Sequence, residues 1–151
     1  MVVVGDGPLR ARLEQQEPEA LFVGARRGEE LAEHYASADL VPFPSHTDTF
    51  ENVVTEAPAS GLVVVAYDCA AAKARVRSGH NGITVRPGNR SAFIARAGVA
   101  AARVDALRPM RRAARNSAEQ IGWDVVLRRF ETSLLQLAQA PAALAGQPAL
   151  P

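Results

Sequence analysis

The chain has 151 residues, a formal charge of +1 and 22% charged residues. That is enough length for one domain with its own core and too little for two full nucleotide-binding domains, and the charge balance gives no electrostatic attraction for nucleic acid. A lone Cys69 excludes an internal disulfide, no Cys/His group has zinc-ligand spacing, and no apolar run reaches the roughly 18 residues of a membrane span.

In chain order, Val2-Val3-Val4 is a short β-branched strand. Gly5-Asp6-Gly7-Pro8 is its turn, with Pro8 suited to the first position of a helix. A complete Gly-x-Gly-x-x-Gly is missing there, so a plain strand-to-helix turn is the better reading than a dinucleotide fingerprint. A charged helix is predicted over 9–16, ending near Pro18, and a strand over 20–23, closed by Gly24. An amphipathic helix over 29–37 turns Leu31, Tyr35 and Ala38 inward. The apolar run 39–43 reads as a buried strand, its exit loop is acidic, and 52–60 has helical spacing with Gly61 as its stop. The run 62–67, Leu-Val-Val-Val-Ala-Tyr, is the plainest strand, unbroken in apolarity as expected for a parallel sheet covered on both faces. A short helix over 70–76, a strand over 83–85 and helices over 91–104, 107–120 and 123–138 complete the pattern. Within them Trp123 reads as a packing anchor and the arginines between Arg103 and Arg115 as a wet helix face. The tail over 140–151 is low-complexity and expected to be disordered, leaving 1–139 as the domain. Strand–helix alternation predicts a doubly wound, Rossmann-like α/β domain with a parallel sheet.

The most informative stretch is Thr47-Asp48-Thr49-Phe50-Glu51-Asn52-Val53-Val54-Thr55-Glu56. It sets Asp48 and Glu56 eight positions apart, across a turn from a strand's carboxyl end into a helix's amino end. Free backbone N–H groups and the positive end of the helix dipole converge at such a turn, where α/β proteins hold anionic ligands. On this reading Asp48 lies on the loop and Glu56 about two turns into the helix, one carboxylate for a sugar and the other for a ribose. His46, beside the loop, is either a contact to the same ligand or an exposed loop residue.

The block from Ala38 to Asp68 resembles the donor-binding, carboxy-terminal half of family-4 retaining glycosyltransferases of the GT-B fold. Val-Gly-Asp-Gly-Pro at 4–8, Gly-Glu-Glu-Leu-Ala at 28–32, Asn81-Gly82 with Pro87-Gly88, and Trp123-Asp124 with Phe130-Glu131 match in the same order and at similar spacing. The resemblance covers about residues 2–135 and is strongest to a bacterial α-mannosyltransferase-like branch.

This resemblance implies transfer of a hexose, mannose for the branch named, from a GDP- or UDP-sugar with retention at the anomeric carbon. It places Asp48 on the donor sugar's hydroxyls as the catalytic acidic residue, and Glu56 on the ribose hydroxyls. Backbone amides of Phe50, Glu51, Asn52 and Val53, with Thr49 beside them, receive the diphosphate, and Arg26 lies where the base-contacting loop runs. No metal and no other cofactor are implied. The acceptor, a glycan or a lipid, is implied to bind through an amino-terminal domain absent from this chain. The first β-α unit is absent too, and with it a central strand in the order 3-2-1-4-5-6. The chain is therefore read as a fragment, with little or no transferase activity alone. The expected location is the cytoplasm, with peripheral contact at the inner face of the membrane left open for the full-length enzyme.

Four residues depart from the pattern, of which Val63, in place of the Pro that usually follows Ser-Gly-Leu, is expected to be harmless. Glu51 stands where the family motif has Gly and brings a negative charge toward the phosphate pocket. Pro58 falls inside a predicted helix, at a cost of about 3 kcal/mol if unrelieved. Pro42 interrupts a strand that the resemblance makes central.

Overall fold

The computed structural model describes residues 1–46 and 52–139. The positions expected to hold the catalytic carboxylate and much of the phosphate cradle, Asp48, Thr49, Phe50 and Glu51, lie outside the described residues, as does the tail 140–151.

The elements follow the predicted alternation: β1 (Val2–Val4), α1 (Arg10–Gln16), β2 (Leu21–Gly24), α2 (Gly28–Ala36), β3 (Leu40–Phe43), α3 (Val53–Ala59), β4 (Val63–Tyr67), α4 (Ala70–Arg75), β5 (Ile83–Val85), α5 (Arg90–Ala101), a 3-10 turn (Val104–Leu107), α6 (Arg108–Glu119) and α7 (Trp123–Gln139). All strand pairs are parallel. β1 pairs with β2, and β3, β4 and β5 form a second sheet in the order β3-β4-β5. The sheet is thus divided between β1 and β3.

β4 organises the core. All five of its residues are buried, and the two-residue period of a strand sends them to opposite faces. Val64 and Ala66 join Val54 and Ala57 of α3 and Ala72 of α4, with Tyr35 and Ala38 packed at the margin. Val65 and Tyr67 join Val85 and Phe93 on the other side, and Val63 joins Ala100 and Leu107. Each fully buried valine contributes about 1.5–3 kcal/mol of burial free energy, so this strand holds much of the domain's stability.

The end of α3 shows how local sequence sets the fold. Gly61 takes φ +76°; its N–H donates to Pro58 O at 2.8 Å and the Leu62 N–H donates to Ala57 O at 3.0 Å. These two bonds form a Schellman cap, and Leu62 and Ala57 meet in the same cluster beneath it. Pro58 sits in the last turn, so its missing N–H deprives only the Val54 carbonyl, while its ring is buried. The cost expected from the sequence is limited because the proline stands at the helix end. Pro42 lies opposite Val65 in β3, which is an edge of its sheet here rather than a central strand. An edge tolerates a missing donor.

Two further expectations are corrected. Trp123 is 80% exposed at the start of α7, a helix with no buried residue, so it anchors nothing among the described residues. Arg111 does not belong to a wet face: its Nε donates to Gly61 O at 2.8 Å and its Nη1 pairs with Asp39, clasping α6 to the α3 cap and the start of β3.

Asn81-Gly82 has a packing reason. Asn81 is buried, and its Oδ1 accepts from Arg77 N–H at 2.6 Å. Its Nδ2 donates to Arg75 O and Ser117 Oγ, both at 3.1 Å. A Cβ on Gly82 would stand 2.5 Å from Val76 Cγ1 and 3.1 Å from Val64 O. Gly82→Ala is therefore expected to destabilise by about 1–3 kcal/mol. Gly98→Ala, in the exposed interior of α5 with open space around its Cβ, is expected to stabilise by about 0.5–1 kcal/mol. Urea midpoints of the two variants, moving in opposite directions, check both.

Candidate functional site

Because the strands are parallel, each sheet gathers its carboxyl-end loops on one edge, and helix amino termini start there. After β1, the Gly7 N–H donates to Asp6 Oδ1 at 2.9 Å and Asp6 lies 3.5 Å from Arg10. The Gly5 N–H donates to Gly24 O at 2.9 Å, tying this turn to the end of β2. These bonds satisfy the turn internally, in keeping with a strand-to-helix connection.

After β2, Arg26 is half-buried, and its Nη1 lies 3.5 Å from Glu30 Oε2 one turn into α2. An exposed pair of this kind is worth a fraction of a kcal/mol, so it leaves Arg26 able to turn to a ligand. At the exit of β3, the His46 ring stacks on Tyr67 with centroids 4.0 Å apart and planes at 21°. Tyr67, at the end of β4, is buried and packs in turn against Phe93 at 4.9 Å. Cys69 Sγ lies 3.9 Å from Ser45 O. The exits of β3 and β4 are thereby packed side by side, and His46 is exposed, as one of its two readings had it, with one face of its ring stacked on Tyr67.

α3 begins at Val53, with Asn52 before it. The Asn52 carbonyl accepts from Thr55 N–H at 2.9 Å and Glu56 N–H at 2.7 Å. Val54, Ala57 and Pro58 face the core, while Asn52 and Glu56 are exposed. Glu56 stands in the first helical turn, not two turns in as the spacing suggested, because the helix starts only three residues before it. There its charge is favoured by the helix dipole.

Sequence reasoning missed the neighbour of Glu56. Tyr35, near the end of α2, packs against the cluster that holds Val54 and Ala57. Burial first, then the charge of Glu56 and hydrogen bonding to it, push the phenol up to about 12. The inward face predicted for the 29–37 helix contained Tyr35, but nothing in the local pattern joined it to a residue 21 positions on.

Among the described residues the structure thus brings Glu56, Asn52 and Val53 to the start of one helix, with Arg26 at the start of another. Also among the described residues, no helix is long and apolar enough to cross a membrane.

Residues 1–101 match the family model described as glycosyl transferases group 1. A GDP-mannose-dependent alpha-mannosyltransferase of Mycobacterium tuberculosis is 54% identical over 68 residues, 45% of this chain and 18% of that protein. A protein of the same description from Corynebacterium glutamicum is 40% identical over 83 residues, 55% of this chain and 20% of that protein. Among solved structures, HepE of Anabaena in complex with UDP-glucose superposes with a TM-score of 0.70 at 24% identity, over 91% of this chain and 40% of that one. Sucrose-phosphate synthase of Thermosynechococcus elongatus gives 0.73 at 24% identity, over 92% and 39%. The matched segment spans about a fifth of those curated relatives, and the fold match about two-fifths of those solved chains. The fold is that of the Rossmann-like carboxy-terminal half of a GT-B glycosyltransferase.

Proposed function

The chain belongs to the group 1 glycosyl transferases, and from that premise we propose that it is the sugar-nucleotide-binding part of a retaining hexosyltransferase that uses a nucleotide diphosphate sugar. The supporting observation is the placement of Glu56, exposed in the first turn of α3 beyond the carboxyl end of β3. A carboxylate there accepts from two ribose hydroxyls at once. Asp48 is assigned to the donor sugar, the amides of Phe50, Glu51, Asn52 and Val53 with Thr49 to the diphosphate, and Arg26 to the base. In the transferase as a whole, amides and cations positioned on the leaving diphosphate stabilise the charge that grows there in the transition state. The mannosyltransferase relatives favour mannose and a GDP-linked donor. No metal is assigned a role, and the acceptor, glycan or lipid, is assigned to a domain outside this chain.

Thermal melts of the chain with GDP and UDP test this directly. A ligand bound only by the folded state stabilises it by about 2.7 kcal/mol at a hundredfold excess over Kd, so the midpoint rises with concentration. Removing the misplaced charge should help: Glu51→Gly is expected to tighten nucleotide diphosphate binding about threefold to tenfold, the scale of one charge near a helix start. Weaker binding in that variant would displace the diphosphate from the 50–53 amides.

A second reading is favoured by the divided sheet. The edges of β1 and β3 face no other strand among the described residues, and Val2 and Val4 of β1 are exposed. On this reading the chain acts by association with a separate acceptor-domain polypeptide. Co-purification of such a protein, with no nucleotide binding by the chain alone, would support it.

A further inference from the structure

We propose that Glu30 and Arg26 together read the base of the donor and select guanine, which makes Glu30 a specificity-determining residue. This deepens the function proposed above and rests on its assignment of Arg26 to the base. Ala25, Arg26 and Arg27 join β2 to α2 between two left-handed glycines, Gly24 at φ +76° and Gly28 at φ +55°. The bond from Gly5 N–H to Gly24 O ties the start of this loop to the exit of β1. Arg26 is half-buried while Arg27 is exposed. Glu30, in the first turn of α2, brings its Oε2 to 3.5 Å from Arg26 Nη1. Among the described residues neither side chain bonds to anything else. One contact at that length leaves most of the guanidinium donors and carboxylate lone pairs free. The carboxyl edge thus presents a cationic donor beside an anionic acceptor. The Watson–Crick edge of guanine carries the complementary series: O6 accepts, and N1–H and the 2-amino group donate. Arg26 donates to O6, and Glu30 accepts from N1–H and the 2-amino group through charge-assisted bonds. Uracil offers O4 and N3–H to the same pair but turns the lone pairs of O2 toward the carboxylate, where guanine has its amine. The lost bond and the repulsion both count against it.

Calorimetry on the intact chain with a set of nucleoside diphosphates tests this. GDP and UDP are compared with inosine diphosphate, which lacks only the 2-amino group, and with xanthosine diphosphate, which has a carbonyl oxygen in its place. The wild type is expected to bind GDP about tenfold to a hundredfold more tightly than inosine diphosphate, the scale of one hydrogen bond to a charged group. Glu30 is exposed, so Glu30→Gln leaves the fold intact. That variant is expected to bring GDP and inosine diphosphate within about threefold of each other. It should also gain affinity for xanthosine diphosphate relative to GDP, because the new amide donates to the added carbonyl. Arg26→Ala is expected to weaken GDP and inosine diphosphate by the same factor, since both carry O6, and so to keep their ratio. A pair that only braced the helix start would move none of these ratios. Equal binding of GDP and inosine diphosphate by the wild type, or a ratio unchanged in Glu30→Gln, would overturn the role of Glu30 and leave the donor site standing. UDP bound more tightly than GDP would overturn the selection of guanine. No binding of any of these nucleotides by the wild type would overturn the donor-site reading, and this inference with it.

Discussion

Leu62→Ala is expected to lower the unfolding free energy by about 2–5 kcal/mol, the range for truncating a well-packed core leucine. Leu62 is 1% exposed and belongs to the cluster shared by α3, β4 and α4. Its backbone N–H also closes the α3 cap on Ala57. The side chain it would lose is surrounded by Val54, Ala57 and Val64, all on regular elements, so the cavity has little freedom to collapse. Stability of a domain this size is commonly 5–15 kcal/mol, so the loss approaches the scale of the whole. Urea denaturation followed by circular dichroism would show it as a fall in midpoint at unchanged slope. A loss under 1 kcal/mol would mean that this face of β4 is looser than its burial indicates.

Glu56→Ala is expected to leave that stability nearly unchanged and to weaken nucleotide diphosphate binding by about 1–3 kcal/mol, through loss of charge-assisted hydrogen bonds to the ribose. Its side chain is exposed and contributes to no core cluster, so the fold does not need it. The two substitutions therefore separate: one unfolds without bearing on the ligand, and the other removes the ligand from a folded chain. Equal binding by wild type and Glu56→Ala would move the ribose elsewhere on the carboxyl edge.

The elements were legible because their signals are local. The run 62–67 became the wholly buried β4, Gly61 became the left-handed cap residue, and the alternation of strands and helices gave a parallel α/β fold. What escaped was contact over long separations. Arg111 pairs with Asp39 across 72 positions, and a helix face rich in arginine gives no sign of which arginine turns inward. Trp123 was misjudged for a related reason: α7 is amphipathic, but its pattern specifies an apolar stripe without specifying what covers it. Trp123, Leu127 and Phe130 are all exposed there. For the site, the spacing of Asp48 and Glu56 overestimated how far Glu56 lies along the helix. It gave no hint of Tyr35, whose place depends on how α2 packs beside α3. The placement of Asp48, Thr49, Phe50 and Glu51 rests on their order in the motif.

The central claim is that a sugar-nucleotide site survives in this chain, built around Glu56. Metal-free calorimetric titration of the purified chain with GDP and with UDP tests it most directly. The account predicts saturable binding of at least one of them, GDP the tighter, lost or sharply weakened in Glu56→Ala. No binding of either nucleotide by a chain that circular dichroism shows to be folded would contradict it.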